Sequence, residues 1–254
     1  MSAAAANRSL AWLTARPIAH RGLHDVANGI IENTGPAVSE AISAGYAIEV
    51  DLRLSADGEA MVFHDSTLDR LTEEHGPVSA RASSALKWVR FKGTEARMMT
   101  LGELLAQVEG QVPLFLEIKS QWDNVGPLEQ RVAQLLRTYE GPVAVMSFDP
   151  NSMAVFQKIA PTLPRGIIAA RFRDKDSWSG LGTGRRFIMR HLLASLGVKP
   201  HFIAYDINGL PSFAPLFARY LLAMPLLIWT VRTPAQRRKA KWLADAIIFE
   251  GFRP

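Results

Sequence analysis

The sequence predicts an α/β fold, a distorted (β/α)8 barrel of the TIM type, and three observations lead there. Nine short apolar runs recur along the chain, at residues 17–19, 47–54, 60–63, 113–118, 143–148, 166–170, 201–205, 226–231 and 246–249. Most are separated by stretches of helical periodicity, as at 33–44, 128–138 and 150–159, and alternating strand and helix argues for parallel units around one sheet. A chain of 254 residues, 48% hydrophobic, matches the size and single core of such a barrel.

Each element has its own local reason. The first run is only three residues long and leads into Ala19-His20-Arg21-Gly22. Asn33 or Thr34 then caps the first barrel helix. Run 47–54 is a strand apolar enough for a core, yet it carries Glu49 and Asp51 on one face. Ser55-Ala56-Asp57-Gly58 is too short for a parallel crossover and has the Asp-Gly signature of a turn, so 60–63 returns as the second arm of a hairpin. Closing that hairpin with Leu54 opposite Glu59 sets Asp51 beside Val62 and Glu49 beside His64, which places Glu49, Asp51 and His64 on one face. Residues 65–100 are polar and turn-rich and contain Trp88 and Phe91, the mark of a cap inserted after the strand that ends at Val62–His64, within a single domain of residues 1–254. The most apolar window, 213–231, is broken by Pro215, Arg219 and Pro225, whereas a membrane span needs roughly 20 predominantly apolar residues. It reads as a helix followed by a buried strand, without stable membrane insertion.

Composition narrows the chemistry. There are no cysteines, so a metal must be held by oxygen or imidazole. The start of the chain has no basic segment followed by a long apolar one; it reads as a short lead-in rather than a signal peptide, and points to a cytoplasmic protein. The net charge of +5 comes with late basic clusters, Arg185-Arg186 and Arg237-Arg238-Lys239 with Lys241, which read as solvated helix faces. No aromatic interleaving supports a nucleic-acid surface, while peripheral contact with an anionic membrane stays open.

In a TIM barrel the chemistry lies at the carboxyl ends of the strands. Polar groups gather there in His20-Arg21, Glu49-Val50-Asp51 and Glu117-Ile118-Lys119. Glu49, Asp51 and Glu117 are hard oxygen donors that suit Mg²⁺ or Ca²⁺, with Mn²⁺ also admissible. The alternative is that the acids pair with neighbouring cations, Asp51 with Arg21 and Glu117 with Lys119. His20 and His64 are the acid-base candidates, and Arg21 and Lys119 suit phosphate oxygens. His24 reads as a solvated loop residue, and His75, His191 and His201 as structural. A metal, two histidines, an arginine and a lysine together describe phosphoryl transfer to an oxygen nucleophile.

These pieces, in order, resemble the glycerophosphodiester phosphodiesterase family, a branch of the phospholipase-C-like barrels. The matching stretches are Ala19-His20-Arg21-Gly22, Glu32-Asn33-Thr34, Glu49-Val50-Asp51, Asp57-Gly58, Val62-Phe63-His64-Asp65, Leu68-Asp69-Arg70-Leu71-Thr72, Leu116-Glu117-Ile118-Lys119, Ser147-Phe148-Asp149 and Trp229-Thr230-Val231. The resemblance implies divalent-metal-dependent hydrolysis of glycerophosphodiesters to sn-glycerol 3-phosphate and an alcohol. It implies Glu49, Asp51 and Glu117 as metal ligands, His20 and His64 as the acid-base pair, and Arg21 and Lys119 as phosphate contacts. Glu32, Asn33 and Trp229 would lie near the metal or in the pocket. Three places depart from the family's pattern: Ile31 where proline is common, Arg232 where asparagine usually follows Trp-Thr-Val, and Ile247-Ile248-Phe249-Glu250 where the last strand usually ends in Thr-Asp. The late departures are expected to line the part of the pocket farther from the metal. A lysophospholipase D acting at a membrane surface is the runner-up, supported by the apolar window and the basic clusters, and a non-catalytic barrel that binds phosphate esters is the second alternative.

Overall fold

The structure, a computed structural model, describes residues 10–120, 122, 124–172 and 182–254; the first nine residues of the lead-in lie outside them. Eight strands run parallel: β1 (Ile18–Ala19), β2 (Ala47–Leu54), β4 (Leu114–Ile118), β5 (Val143–Ser147), β6 (Arg165–Ala169), β7 (Phe202–Asp206), β8 (Leu226–Val231) and β9 (Ala246–Phe249). β1 pairs with both β2 and β9, which closes the sheet into a barrel. The ninth strand, β3 (Ala60–Val62), pairs antiparallel with β2 as the hairpin's return arm. The α-helices among the described residues are α1 (Gly35–Ser43), α2 (Ser83–Leu86), α3 (Leu101–Val108), α4 (Pro127–Leu136), α5 (Pro150–Ile159), α6 (Thr183–Arg190), α7 (Phe213–Leu221) and α8 (Pro234–Leu243), with short 3-10 turns between elements.

Helix starts follow local chemistry. Pro127, Pro150 and Pro234 each open a helix, where the missing N–H costs nothing. Thr100 with Glu103 and Thr233 with Gln236 form reciprocal capping boxes on α3 and α8. Thr34 takes the N-cap position of α1, but its hydroxyl donates to the Ile31 carbonyl at 2.6 Å instead of capping the helix.

Each barrel strand is buried on both faces, which is why the runs read as continuously apolar. Outward side chains such as Ile48, Val50, Leu116 and Val145 join the main core under the helices. Inward ones, among them Phe115, Met146, Ile168, Phe202 and Leu227, fill the barrel's lower half. The 3-10 turn Leu10–Thr14 seals the bottom: Leu13 is fully buried there and Trp12 packs on Phe115 with ring centroids 5.7 Å apart. Residues 65–100 carry a separate small cluster in which Leu68, Val89 and Phe91 pack with Phe63 just before them.

The hairpin forms, but its register differs by one residue from the expectation. Leu54 faces Ala60 and Leu52 faces Val62. The reason is the turn: Ser55 N–H donates to the Glu59 carbonyl at 2.9 Å, Ser55 Oγ accepts from Glu59 N–H at 2.8 Å, and Gly58 takes φ +84°. The loop is therefore the three residues Ala56-Asp57-Gly58, closed on a left-handed glycine. Strict alternation no longer puts His64 on the Glu49 and Asp51 face; it reaches the cavity because the chain leaves the strand after Val62.

Candidate active site

A cavity of about 580 Å³ opens at the carboxyl ends of the strands. Its walls include His20, Arg21, Glu49, His64, Glu117 and Lys119 on the early side, and Asp206, Trp229 and Arg232 on the late side. β2 aims Glu49 and Asp51 inward by its two-residue period, and the parallel register sets Asp51 directly beside Glu117 on β4. One oxygen from each of Glu49, Asp51 and Glu117 lies within 4.8 Å of the others, and all three side chains are buried.

The loop from β1 to α1 holds the second layer of the site. Gly22 adopts φ +79°, and a side chain there would come within 2.8 Å of Ala37 Cβ, so only glycine lets this loop rest on α1. Arg21 and Asn33 both take left-handed backbone conformations, at φ 57° and 58°. Such residues cost about 1–3 kcal/mol each and persist where their surroundings hold them. Here both are held by carboxylates. Arg21 N–H donates to Glu49 Oε2 at 2.9 Å, and Asn33 donates its side-chain N–H to Asp51 Oδ2 at 2.8 Å.

Both pairings anticipated as the alternative to a metal are present. Lys119 Nζ lies 2.6 Å from Glu117 and 2.9 Å from Asp51, and Arg21 Nε lies 3.3 Å from Asp51. They leave the charges unbalanced, three carboxylates against two cations. Burial pushes the Asp51 carboxyl upward, but Lys119, His64 and Arg21 outweigh it and hold the group well below the usual carboxylate range. Glu49 is the converse case: burial, then the negative charges of Asp51 and Glu117, push it well up, with Arg21 opposing. Its Oε1 is buried without a hydrogen-bond partner. A buried carboxylate with one free oxygen, facing two others, fits a hard divalent cation.

His20 lies beside this cluster. Its Nε2 is 3.9 Å from Glu49 Oε2, and its Nδ1 is 2.8 Å from Glu250 Oε2. Burial lowers its pKa, and the Glu250 hydrogen bond opposes that shift. Glu250 is in turn held by Arg232 at 2.8 and 3.1 Å. His64 bonds Asp65 through Nδ1 at 2.6 Å, and Asp65 is gripped by Arg70, which also reaches Glu32. Glu32 does not enter the carboxylate cluster; it pairs with Arg21 at 2.6 Å, behind the site.

The family model of the glycerophosphoryl diester phosphodiesterases matches residues 20–251. The chain belongs to this family. A glycerophosphodiester phosphodiesterase of Caldanaerobacter subterraneus is 32% identical over 161 residues, covering 59% of this chain and 65% of the relative. This chain thus spans a little under two thirds of that relative's length. Among solved structures, a phosphodiesterase of Oleispira antarctica in complex with its product sn-glycerol-3-phosphate superposes with a TM-score of 0.74 at 18% identity, over 92% of each chain. A glycerophosphodiester phosphodiesterase of Agrobacterium tumefaciens gives 0.68 at 24% identity, over 92% of this chain and 95% of the other. At these identities the two likenesses speak for the fold.

The departures from the family pattern fall elsewhere than expected. Arg232 and Glu250, expected to line the pocket away from the metal, bond each other, and Glu250 bonds His20 beside the carboxylate cluster. An arginine at one position accompanies an acid one methylene longer than aspartate at the other. His24, expected in solvent, is 13% exposed and lies 3.9 Å from Glu250. Trp229 does line the cavity, with its ring edge-on to Phe148 at 5.5 Å. His201 accepts from the Arg165 backbone N–H, a structural role, and His75 is exposed beside Asp69.

The sequence reading named Asp65 and Glu250 without their roles and did not name Arg53. Glu250 and Asp65 are the carboxylate partners of the two histidines. Arg53 continues the inward face of Glu49 and Asp51, donates from Nε to the His64 carbonyl at 2.7 Å, and lines the cavity. Its position two residues beyond Asp51 was the available signal.

Proposed function

We propose that the protein is a metal-dependent phosphoric diester hydrolase that cleaves glycerophosphodiesters to sn-glycerol 3-phosphate and an alcohol. The observation that carries the proposal is the cluster of Glu49, Asp51 and Glu117, with Glu49 Oε1 unpartnered, between two carboxylate-bonded histidines. Those three residues would hold Mg²⁺, Ca²⁺ or Mn²⁺, which supplies Lewis-acid stabilisation of the charge that grows on the phosphoryl oxygens.

The chain's own residues perform the rest. Nδ1–H of His20 donates to Glu250, which leaves Nε2 as an acceptor turned toward the cluster. Burial favours the neutral imidazole, so His20 takes the proton of the attacking hydroxyl, which is either water or the neighbouring glycerol hydroxyl; the latter route forms a cyclic phosphate that water then opens to sn-glycerol 3-phosphate. His64, whose ring is oriented by the Asp65 carboxylate, gives a proton to the departing alkoxide as its P–O bond breaks. Arg21 and Lys119, which line the cavity beside the carboxylates, would bind the phosphate oxygens.

The test is release of sn-glycerol 3-phosphate from a panel of glycerophosphodiesters and lysophospholipids with Mg²⁺, Ca²⁺, Mn²⁺ or EDTA. Metal-dependent release, abolished by Glu49→Ala and lowered about 10²- to 10⁴-fold by His20→Ala or His64→Ala, is expected. Binding of sn-glycerol 3-phosphate without turnover under any metal would replace the proposal with a phosphate-ester-binding barrel.

A further inference from the structure

A helix that covers a barrel strand turns its apolar stripe inward. α7 reverses the rule over much of its circumference: Pro215 and Ala218 are buried, while Phe213, Phe217, Tyr220 and Leu221, spaced i, i+4, i+7 and i+8, are exposed. Phe213 is 80% exposed and Leu221 69%. On the next helix Trp242 is 78% exposed, and its carbonyl lies 3.3 Å from the Tyr220 hydroxyl, so the two helices share the surface. α6 adds Phe187 and Ile188. These helices follow β6, β7 and β8, which are neighbours in the barrel.

The same flank is strongly cationic. Residues 183–245 hold ten Lys and Arg against two acidic residues, whereas the rest of the chain holds nineteen against twenty-two. Arg237, Arg238 and Lys241 are exposed on the helix that carries Trp242. The flank also reaches the mouth of the cavity, because Phe213 opens α7 directly after the loop whose Asp206 and Asn208 line it.

We propose that this flank is a docking face for an anionic phospholipid surface. Aromatic and aliphatic side chains among Arg and Lys are the chemistry of an interfacial contact, in which apolar groups enter the head-group boundary and cations meet lipid phosphates. No helix of the described residues is long and apolar enough to cross a membrane, so the contact is peripheral. A second copy is the poorer occupant, since it would set two positive faces against each other. The inference deepens the proposed function and rests on it: docking brings a phosphodiester-cleaving mouth to a surface built of phosphodiesters.

The test is co-sedimentation of the full chain with vesicles of phosphatidylcholine alone or with phosphatidylglycerol added. Binding is expected only with phosphatidylglycerol, and should fall about tenfold or more between low and high salt. F213S/L221S/W242S and R237E/R238E should each weaken it by about tenfold, while turnover of a water-soluble diester stays within about twofold of the parent. Absence of vesicle binding, or binding that survives both variants, overturns the proposal. So does a dimer seen by ultracentrifugation that the triple variant dissolves while vesicles are ignored. Vesicle binding without turnover of any diester keeps the docking face and removes the proposed hydrolysis; turnover without vesicle binding does the reverse.

Discussion

The early and late halves of the barrel are built from the same strand–helix unit but spend their side chains differently. β1, β2 and β4 lead inward to Arg21, Glu49, Asp51, Glu117 and Lys119, and the helices over that half show solvent a polar face, with Ile159 the one exposed large apolar residue on α1, α3, α4 and α5. β7 and β8 bring Asp206, Trp229 and Arg232 to the cavity, β9 leads to the Glu250 that pairs with Arg232, and the helices after β6, β7 and β8 expose aromatic and aliphatic side chains. Charge is concentrated inside one half, and apolar surface outside the other. The lesson is that a scaffold built of like units keeps buried charge and exposed apolar surface apart by assigning them to different strand–helix units.

The strongest way to break this comparison is Glu49→Gln. It removes one of the three carboxylates proposed to hold the metal, and loss of turnover by about 10³-fold or more is expected. The same change should raise the metal-free melting temperature by about 2–4 °C, the shift that about 1 kcal/mol gives a chain of this size. The sign follows from the raised Glu49 value: its contribution to stability is fully present below the unfolded pKa and is lost as pH rises through the folded one. Added Mg²⁺ or Ca²⁺ should therefore raise the parent's melting temperature more at pH 8 than at pH 5, a difference that scanning calorimetry reads and that Glu49→Gln erases. Equal metal effects at both pH values would contradict the assignment.

Glu250→Gln probes where the two halves meet. It leaves the carboxylate cluster intact and replaces the charged partner that orients His20 with a neutral amide, so a loss of about 10- to 100-fold in kcat with metal affinity unchanged is expected, the usual size for a supporting partner. The depressed Glu250 value gives the opposite pH sign from Glu49. Its stabilisation is present above the unfolded carboxylate range and lost as pH falls through the folded value. Unchanged kcat in Glu250→Gln would show that His20 needs no late-half partner.

Smaller effects belong to the late wall. Trp229→Phe should alter the ratio of kcat/KM between two leaving alcohols by about tenfold or less, with the metal requirement unchanged, as steady-state kinetics on paired diesters would show. A change in metal dependence instead would blur the division between the halves.

Much of this was legible in the sequence, for definite reasons. Strands buried on both faces read as apolar runs, and β8 and β9 match the expected limits 226–231 and 246–249. The carboxylate cluster was legible because period-two spacing on one strand and a neighbouring parallel strand bring Glu49, Asp51 and Glu117 together. The hairpin register was not, because Ser55 closes the turn through a side-chain bond that spacing does not reveal. The bond of Glu250 to His20 was missed because the barrel closes between the first and last strands, setting the two together across 230 residues of sequence. The reversed stripe of α7 was missed because periodicity tells which residues share a face, not which way the face turns.

The plug formed by Leu10–Thr14 closes the foot of a barrel whose lower half is already filled by inward side chains. The cavity is therefore a blind pocket with a single mouth rather than a through-channel. Under the proposed hydrolysis, substrate and both products would share that mouth, and inhibition by product, competitive with substrate, is the expected kinetic signature.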